Sequence, residues 1–171
     1  MKKKLINSLI CPISKSDLDL IIFSETTNEA NKIMSGLLIP SDKSALIYPV
    51  INGIPRLLKN SLSVYRDEIE KNLEKIPSDI AERVNSELNR QSDINKDLLQ
   101  TQASFSSEWD EIGDEANAWG RSPEDRLEEF LSRTQIQFDD LKGLKILDAG
   151  CGNGEVELAL KASGSEIYAV D

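Results

Sequence analysis

The stretch Leu144-Lys145-Ile146-Leu147-Asp148-Ala149-Gly150-Cys151-Gly152-Asn153-Gly154-Glu155, answered downstream by Ile167-Tyr168-Ala169-Val170-Asp171, decides the fold of the C-terminal part of the chain. The apolar run closed by Ile146 and Leu147 is too short for a helix. Alternate glycines follow it at 150, 152 and 154, the pattern of a strand running into a bend. Glycine suits such a bend because its backbone takes torsions that a Cβ forbids and can approach a ligand closely. Val156, Ala159 and Leu160 then recur at spacings of three and four and predict a helix, with Gly164 as its stop signal. A second strand, from Ile167 to Val170, ends on Asp171, 21 residues after Gly150. That is close to the separation at which a βαβ unit sets an acid against a ribose hydroxyl.

Two nucleoside cofactors use such geometry, and the glycine spacing discriminates between them. A dinucleotide fingerprint starting at Gly150 and Gly152 requires a small residue at 155, where helix and strand pack closely; this chain has Glu155. The pattern Asp148-x-Gly150-x-Gly152-x-Gly154 resembles the first motif of class I S-adenosylmethionine-dependent methyltransferases, and Asp171 matches their second, acidic motif. The resemblance implies an α/β fold, the start of a Rossmann-like sheet of which one βαβ unit is present, and S-adenosylmethionine as cofactor. It places Asp148, Gly150 and Gly152 around the aminocarboxypropyl group, with Cys151 and Gly154 in the same cofactor-binding loop and Asp171 on the ribose. No metal and no catalytic residue follow from it. The bland reading is a tight strand-to-helix turn followed by an ordinary strand end. The acid, the glycines, the helix pattern and the second acid together favour the methyltransferase.

A chain of 171 residues with 39% apolar content has enough material for a packed core. Net charge is −10 overall and unevenly spread: +3 over residues 1–60, −10 over 61–142 and −3 over 143–171. That balance repels phosphate backbones and disfavours a nucleic-acid substrate. No segment approaches the ~20 apolar residues that span a bilayer. Lys2-Lys3-Lys4 precedes an apolar run broken by Asn7 and Ser8, too short for a signal peptide, so a cytoplasmic protein is expected. Cys11 and Cys151 stand far apart, which argues against a disulfide framework. With no histidine in the chain, the usual base near neutral pH is missing.

Residues 1–58 read as a small, mostly antiparallel β domain, with apolar runs from Leu18 to Phe23, Ile33 to Ile39 and Ala45 to Val50, then Asn52-Gly53 before Ile54. Leu9-Ile10-Cys11-Pro12 and Tyr48-Pro49-Val50-Ile51-Asn52-Gly53-Ile54-Pro55-Arg56-Leu57-Leu58 resemble the small zinc-ribbon-like proteins that activate tRNA and translation-factor methyltransferases. Where those domains bind zinc they use two Cys-x-x-Cys pairs. Here Ser14 stands at the partner position of Cys11, and Pro40 and Lys43 stand near the second pair. One thiolate cannot make a tetrahedral zinc site, so a metal-free version is expected, with Cys11 as a small buried hydrophobe.

Residues 59–121 read as an acidic helical linker or cap. Asp79 and Glu82 have capping-box spacing, and Ile80, Val84 and Leu88 follow at intervals of four; a break is expected between Asn89 and Asp97. Phe105 and Trp109 stand four apart and share a helix face. This Phe-x-x-x-Trp segment resembles one in methyltransferases of glycan and secondary-metabolite synthesis, where N-terminal helices cover the cofactor. The resemblance offers Phe105 and Trp109 as pocket residues, and an aromatic pair docking a helix on the core is an equal reading. Ser122 as N-cap, Pro123 at the first position and Asp125 at the third start another helix. Leu127, Phe130 and Leu131 give it a buried stripe, and Asp139, Asp140 and Gly143 return the chain to the glycine strand.

Residues 122–171 are therefore expected to be the N-terminal part of a methyltransferase domain belonging to a longer protein, with at most weak cofactor binding and no turnover on its own. The acceptor expected is a small molecule or a glycan or secondary-metabolite precursor. Two alternatives stay open: a nucleotide-cofactor oxidoreductase, against which Glu155 speaks, and a non-catalytic adaptor whose residues 1–58 bind and activate a partner methyltransferase.

Overall fold

A computed structural model describes residues 1–27, 32–42, 46–90, 122–152 and 154–170. The chain divides into two compact units, Met1–Lys96 and Asp97–Asp171. In the first, strands Leu18–Glu25 (β1), Ile33–Pro40 (β2), Tyr48–Ile51 (β3) and Ile54–Pro55 (β4) form an antiparallel sheet in sequence order. Alternate side chains of a strand point to opposite faces, and both faces of β2 are covered. Leu37 and Ile39 pack with Phe23 and Ile47 on one face, while Leu38 packs with Leu18, Tyr48, Val50 and Cys11 on the other.

Helices close the first face. Ser61–Val64 (α1), Arg66–Glu70 (α2), a 3-10 turn at Leu73–Lys75 and Ser78–Arg90 (α3) follow the sheet, and Leu62, Ile69, Ile76, Val84 and Leu88 enter its core. Read from sequence, residues 59–121 form an acidic helical linker or cap; in the structure 61–90 share one hydrophobic core with the sheet. The physical reason is that a sheet apolar on both faces must be covered on both. The apolar stripe of α3 falls where Ile80, Val84 and Leu88 predict it, with Val84 and Leu88 buried. The capping box does not: α3 begins at Ser78, which puts Asp79 inside the first turn. Cross-ties hold the layer down. Lys75 Nζ donates to the Phe23 carbonyl at 3.1 Å, and Arg66 Nη2 donates to the Leu88 carbonyl at 2.6 Å.

Cys11 is fully buried. Its sulfur lies 3.4 Å from the Tyr48 hydroxyl and accepts the Ser14 backbone N–H at 3.4 Å. Burial pushes the thiol up, but the hydrogen bonds from Ser14 and Tyr48 outweigh it together and bring it down to about 7 from its usual 9.0. Burial, and after it the contact with Cys11, push the Tyr48 phenol well above its ordinary value, so Tyr48 stays protonated, and either group can be the donor in their contact. A thiol lowered in the folded state contributes stability that is present above its unfolded pKa and lost as pH falls through its folded one. The first unit is therefore expected to gain about 1–3 kcal/mol between roughly pH 6 and pH 9, a slope that Cys11→Ala flattens. Urea midpoints of both proteins at the two pH values check this, and a flat wild-type profile contradicts it.

In the second unit Pro123–Thr134 (α4) starts as its sequence predicts. Ser122 is the N-cap, Pro123 opens the helix, and the capping box with Asp125 is complete, with Ser122 N donating to Asp125 Oδ2 at 2.9 Å and Asp125 N donating to Ser122 Oγ at 3.2 Å. Its apolar stripe is only half-buried. Leu127 and Leu131, with Ile136, line an open groove edged by Glu124 and Glu128. A 3-10 turn at Phe138–Leu141 leads to Lys145–Ala149 (β5), then Glu155–Leu160 (α5) and Glu166–Val170 (β6). β5 and β6 pair in parallel with Ile146 opposite Ile167 and Ala149 opposite Val170. Gly164 does not stop α5, which ends at Leu160; it lies in the turn before β6, where its carbonyl accepts the Gly143 N–H at 3.1 Å. Among the described residues no helix is long and apolar enough to cross a membrane.

Candidate functional site

The parallel pairing of β5 and β6 sets the site, because a parallel βαβ unit gathers its loop at the C-terminal ends of the strands. Gly150 N and Cys151 N both donate to the Val170 carbonyl, at 2.7 and 3.1 Å, so the loop is pinned to the end of the neighbouring strand as it leaves β5. It then turns on three glycines with φ of +87° at Gly150, +51° at Gly152 and +81° at Gly154. Side chains rarely adopt that left-handed region, which explains why the sequence alternates glycine there. A Cβ at Gly150 would point into open space. The backbone at Gly150 is therefore uncovered on that side, and a ligand can lie directly against it.

Charged side chains surround this loop. Asp148, the last polar residue of β5, is half-buried and pairs with Ala169. Glu155, the first residue of α5, receives Arg126 of α4 at 2.6 Å, an ion pair with both side chains largely covered that ties the loop's helix to α4. Arg126 Nη1 also lies 3.9 Å from Glu129. Glu157, one turn position on, has both carboxylate oxygens out of solvent without a hydrogen-bond partner from another residue. Its Oε2 stands 3.5 Å from the place a Cβ on Gly154 would take. Burial pushes the Glu157 carboxyl up, a bond to its own backbone amide works against this, and the charge of Asp148 raises it further.

Of the residues read from sequence as cofactor-binding, Asp148, Gly150, Cys151, Gly152 and Gly154 come together at this loop. Asp171, Phe105 and Trp109 lie outside the described residues. Cys151 is partly exposed and is not in a disulfide. Glu157 went unnoticed in the sequence, where a glutamate on a short amphipathic helix reads as a solvated charge. The nearest signal was its place two residues after Glu155. Among the described residues, no group of three or more His, Cys, Asp or Glu side chains could hold a metal ion.

The second unit thus presents a parallel βαβ motif with an open, positive-φ glycine loop and acids at its rim, an arrangement suited to a nucleoside-bearing ligand. No family model matches the chain. It is similar to the ubiquinone biosynthesis O-methyltransferases of Rickettsia typhi (strain Wilmington) and Rickettsia prowazekii (strain Madrid E). Each is 30% identical over 80 residues, 47% of this chain and 32% of the relative. The chain spans about a third of the length of these curated relatives.

Proposed function

We propose that the second unit is the first βαβ unit of a Rossmann-like class I methyltransferase fold, that its glycine loop holds S-adenosylmethionine, and that the methyl acceptor is a small molecule. The observation that carries the reading is the uncovered backbone at Gly150, where a Cβ would meet nothing, in a loop whose positive φ values fit the glycine motif. The similarity to O-methyltransferases supports it. Asp148 and the loop from Gly150 to Gly154 would hold the methionine end of the cofactor, and Asp171 the ribose. When bound, the cofactor supplies an electrophilic sulfonium methyl; the chain's own work is binding and orientation. The N–H groups of Gly150, Cys151 and Gly154 are engaged within the chain, so the loop would meet the ligand through the uncovered Gly150 backbone, with the Asp148 carboxylate at the end of the strand before it.

A dinucleotide fits less well. The third fingerprint position needs a small residue for close helix packing, and here Glu155 fills it, anchored by Arg126 at 2.6 Å. Thermal-shift titrations with S-adenosylhomocysteine and with NAD separate the two. The expected outcome is a concentration-dependent rise in melting temperature with S-adenosylhomocysteine alone, reduced in Asp148→Asn. A rise with NAD alone contradicts the proposal.

A further inference from the structure

The helix α4 separates its charges by side. Arg126 reaches Glu155 of α5 at 2.6 Å and Arg133 reaches Glu129 at 2.6 Å, so both cations of the helix are engaged. With about 3.6 residues per turn, residues two apart lie on nearly opposite sides of a helix, which puts Glu124 and Glu128 across α4 from Arg126. Both glutamates are exposed, and among the described residues no cation is recorded on either. Beside them on the same side run Leu127 and Leu131, four apart and half-buried. The chain leaves α4 through Gln135 in the left-handed region, at φ +58°, and Ile136 then joins the two leucines. Together they form the floor of an open groove of about 430 Å³ with Glu124 and Glu128 on its rim.

We infer that this groove docks a basic amphipathic helix of a protein partner, whose apolar side chains cover Leu127, Leu131 and Ile136 and whose lysines or arginines meet Glu124 and Glu128. The apolar floor supplies the driving force, since covering it removes that surface from water. The rim sets the sign of the partner. An acidic helix, a phosphate backbone or an anionic lipid surface meets like charge there, whereas Lys and Arg lay apolar stems along the leucines while their heads reach the acids. The groove runs along a helix, whose backbone is bonded within itself and offers an extended peptide no strand edge to pair with, so the occupant that fits is another helix, its side-chain rows set between those of α4. A second copy of this chain is a poor occupant: its α4 would set glutamate against glutamate, and the apolar stripe of its α3 is already buried against the sheet. The surface lies on the side of α4 turned from the Arg126–Glu155 pair, and it stands whether or not a nucleoside binds the glycine loop.

The test titrates the full chain with two synthetic peptides of about 15 residues. One carries a leucine stripe at i, i+4 and i+7 flanked by lysines; the other has the same residues scrambled so that no stripe forms. Backbone amide shifts locate the binding and fluorescence anisotropy measures it. The expected result is saturable binding of the striped peptide about tenfold tighter than the scrambled one, with shifts at Leu127, Glu128, Leu131 and Ile136. The double variant Glu124→Gln and Glu128→Gln, which alters only exposed side chains, weakens the striped peptide about tenfold and leaves the melting temperature of the chain unchanged. Equal binding of the two peptides, which would mean attraction to net charge alone, overturns the proposal. So do shifts confined to residues outside the groove, an affinity that the double variant leaves within about twofold, and self-association of the chain through Leu127 and Leu131.

Discussion

Gly36→Ala is expected to destabilise the first unit by about 3–5 kcal/mol, enough to unfold a small domain of ordinary stability. Gly36 lies in the middle of the central strand β2, opposite Ile22 of β1 and Val50 of β3. A Cβ there runs into the carbonyl oxygen of Ile21. That neighbour is backbone, with no rotamer to change, so relief requires β1 to move. Moving it opens the pairing beside the point where the register already shifts, between Ile22 and Ser24, and loosens Phe23 from the core beneath. Urea denaturation followed by circular dichroism measures the loss. A variant within about 1 kcal/mol of wild type contradicts the close strand approach described here.

The second large effect concerns the helices that follow the sheet. Leu62→Ala is expected to cost about 2–5 kcal/mol, because Leu62 is fully buried where α1 meets the sheet and truncation leaves a cavity between two layers. For the same reason a fragment of residues 1–58 should not fold, since Phe23, Leu37, Ile39 and Ile47 lose the cover of Leu62, Ile69, Val84 and Leu88 and expose one apolar face of a four-stranded sheet to water. A fragment of residues 1–96 should fold. Dispersed amide spectra for 1–96 and collapsed ones for 1–58 are the expected pair. A folded 1–58 makes the helices accessory and contradicts their place in the core.

Local signals in the sequence read well where chemistry acts within one turn. Ser122, Pro123 and Asp125 announced the start of α4, and all three serve there. The alternate glycines at 150, 152 and 154 announced a bend, and each takes a positive φ. The apolar runs around Leu20, Leu37 and Tyr48 announced strands, and the antiparallel sheet contains them. What escaped depends on partners distant in sequence. Val84 and Leu88 showed that α3 has an apolar face, but periodicity does not say which surface that face covers, so the helices read as a linker or cap. The stripe of α4 read as buried; Leu127 and Leu131 instead edge an open groove, because spacing fixes a face and not the depth of its cover. Asp79 matched a capping box in spelling, yet Pro77 sits where the chain enters α3, and its carbonyl takes the Ala81 N–H at 2.8 Å. Glu155 and Glu157 look alike in the sequence. Only the approach of Arg126 from α4 separates the paired one from the unpaired one.

If a nucleoside cofactor lies on the glycine loop, a residue-by-residue map of backbone amide shifts as S-adenosylhomocysteine is added to the full chain shows it. Saturable movement is expected at Gly150, Cys151, Gly152 and Gly154, with smaller shifts at Asp148 and Glu157 and none on the sheet β1–β4. Saturable shifts confined to other residues, or an unchanged loop at millimolar ligand, contradict it.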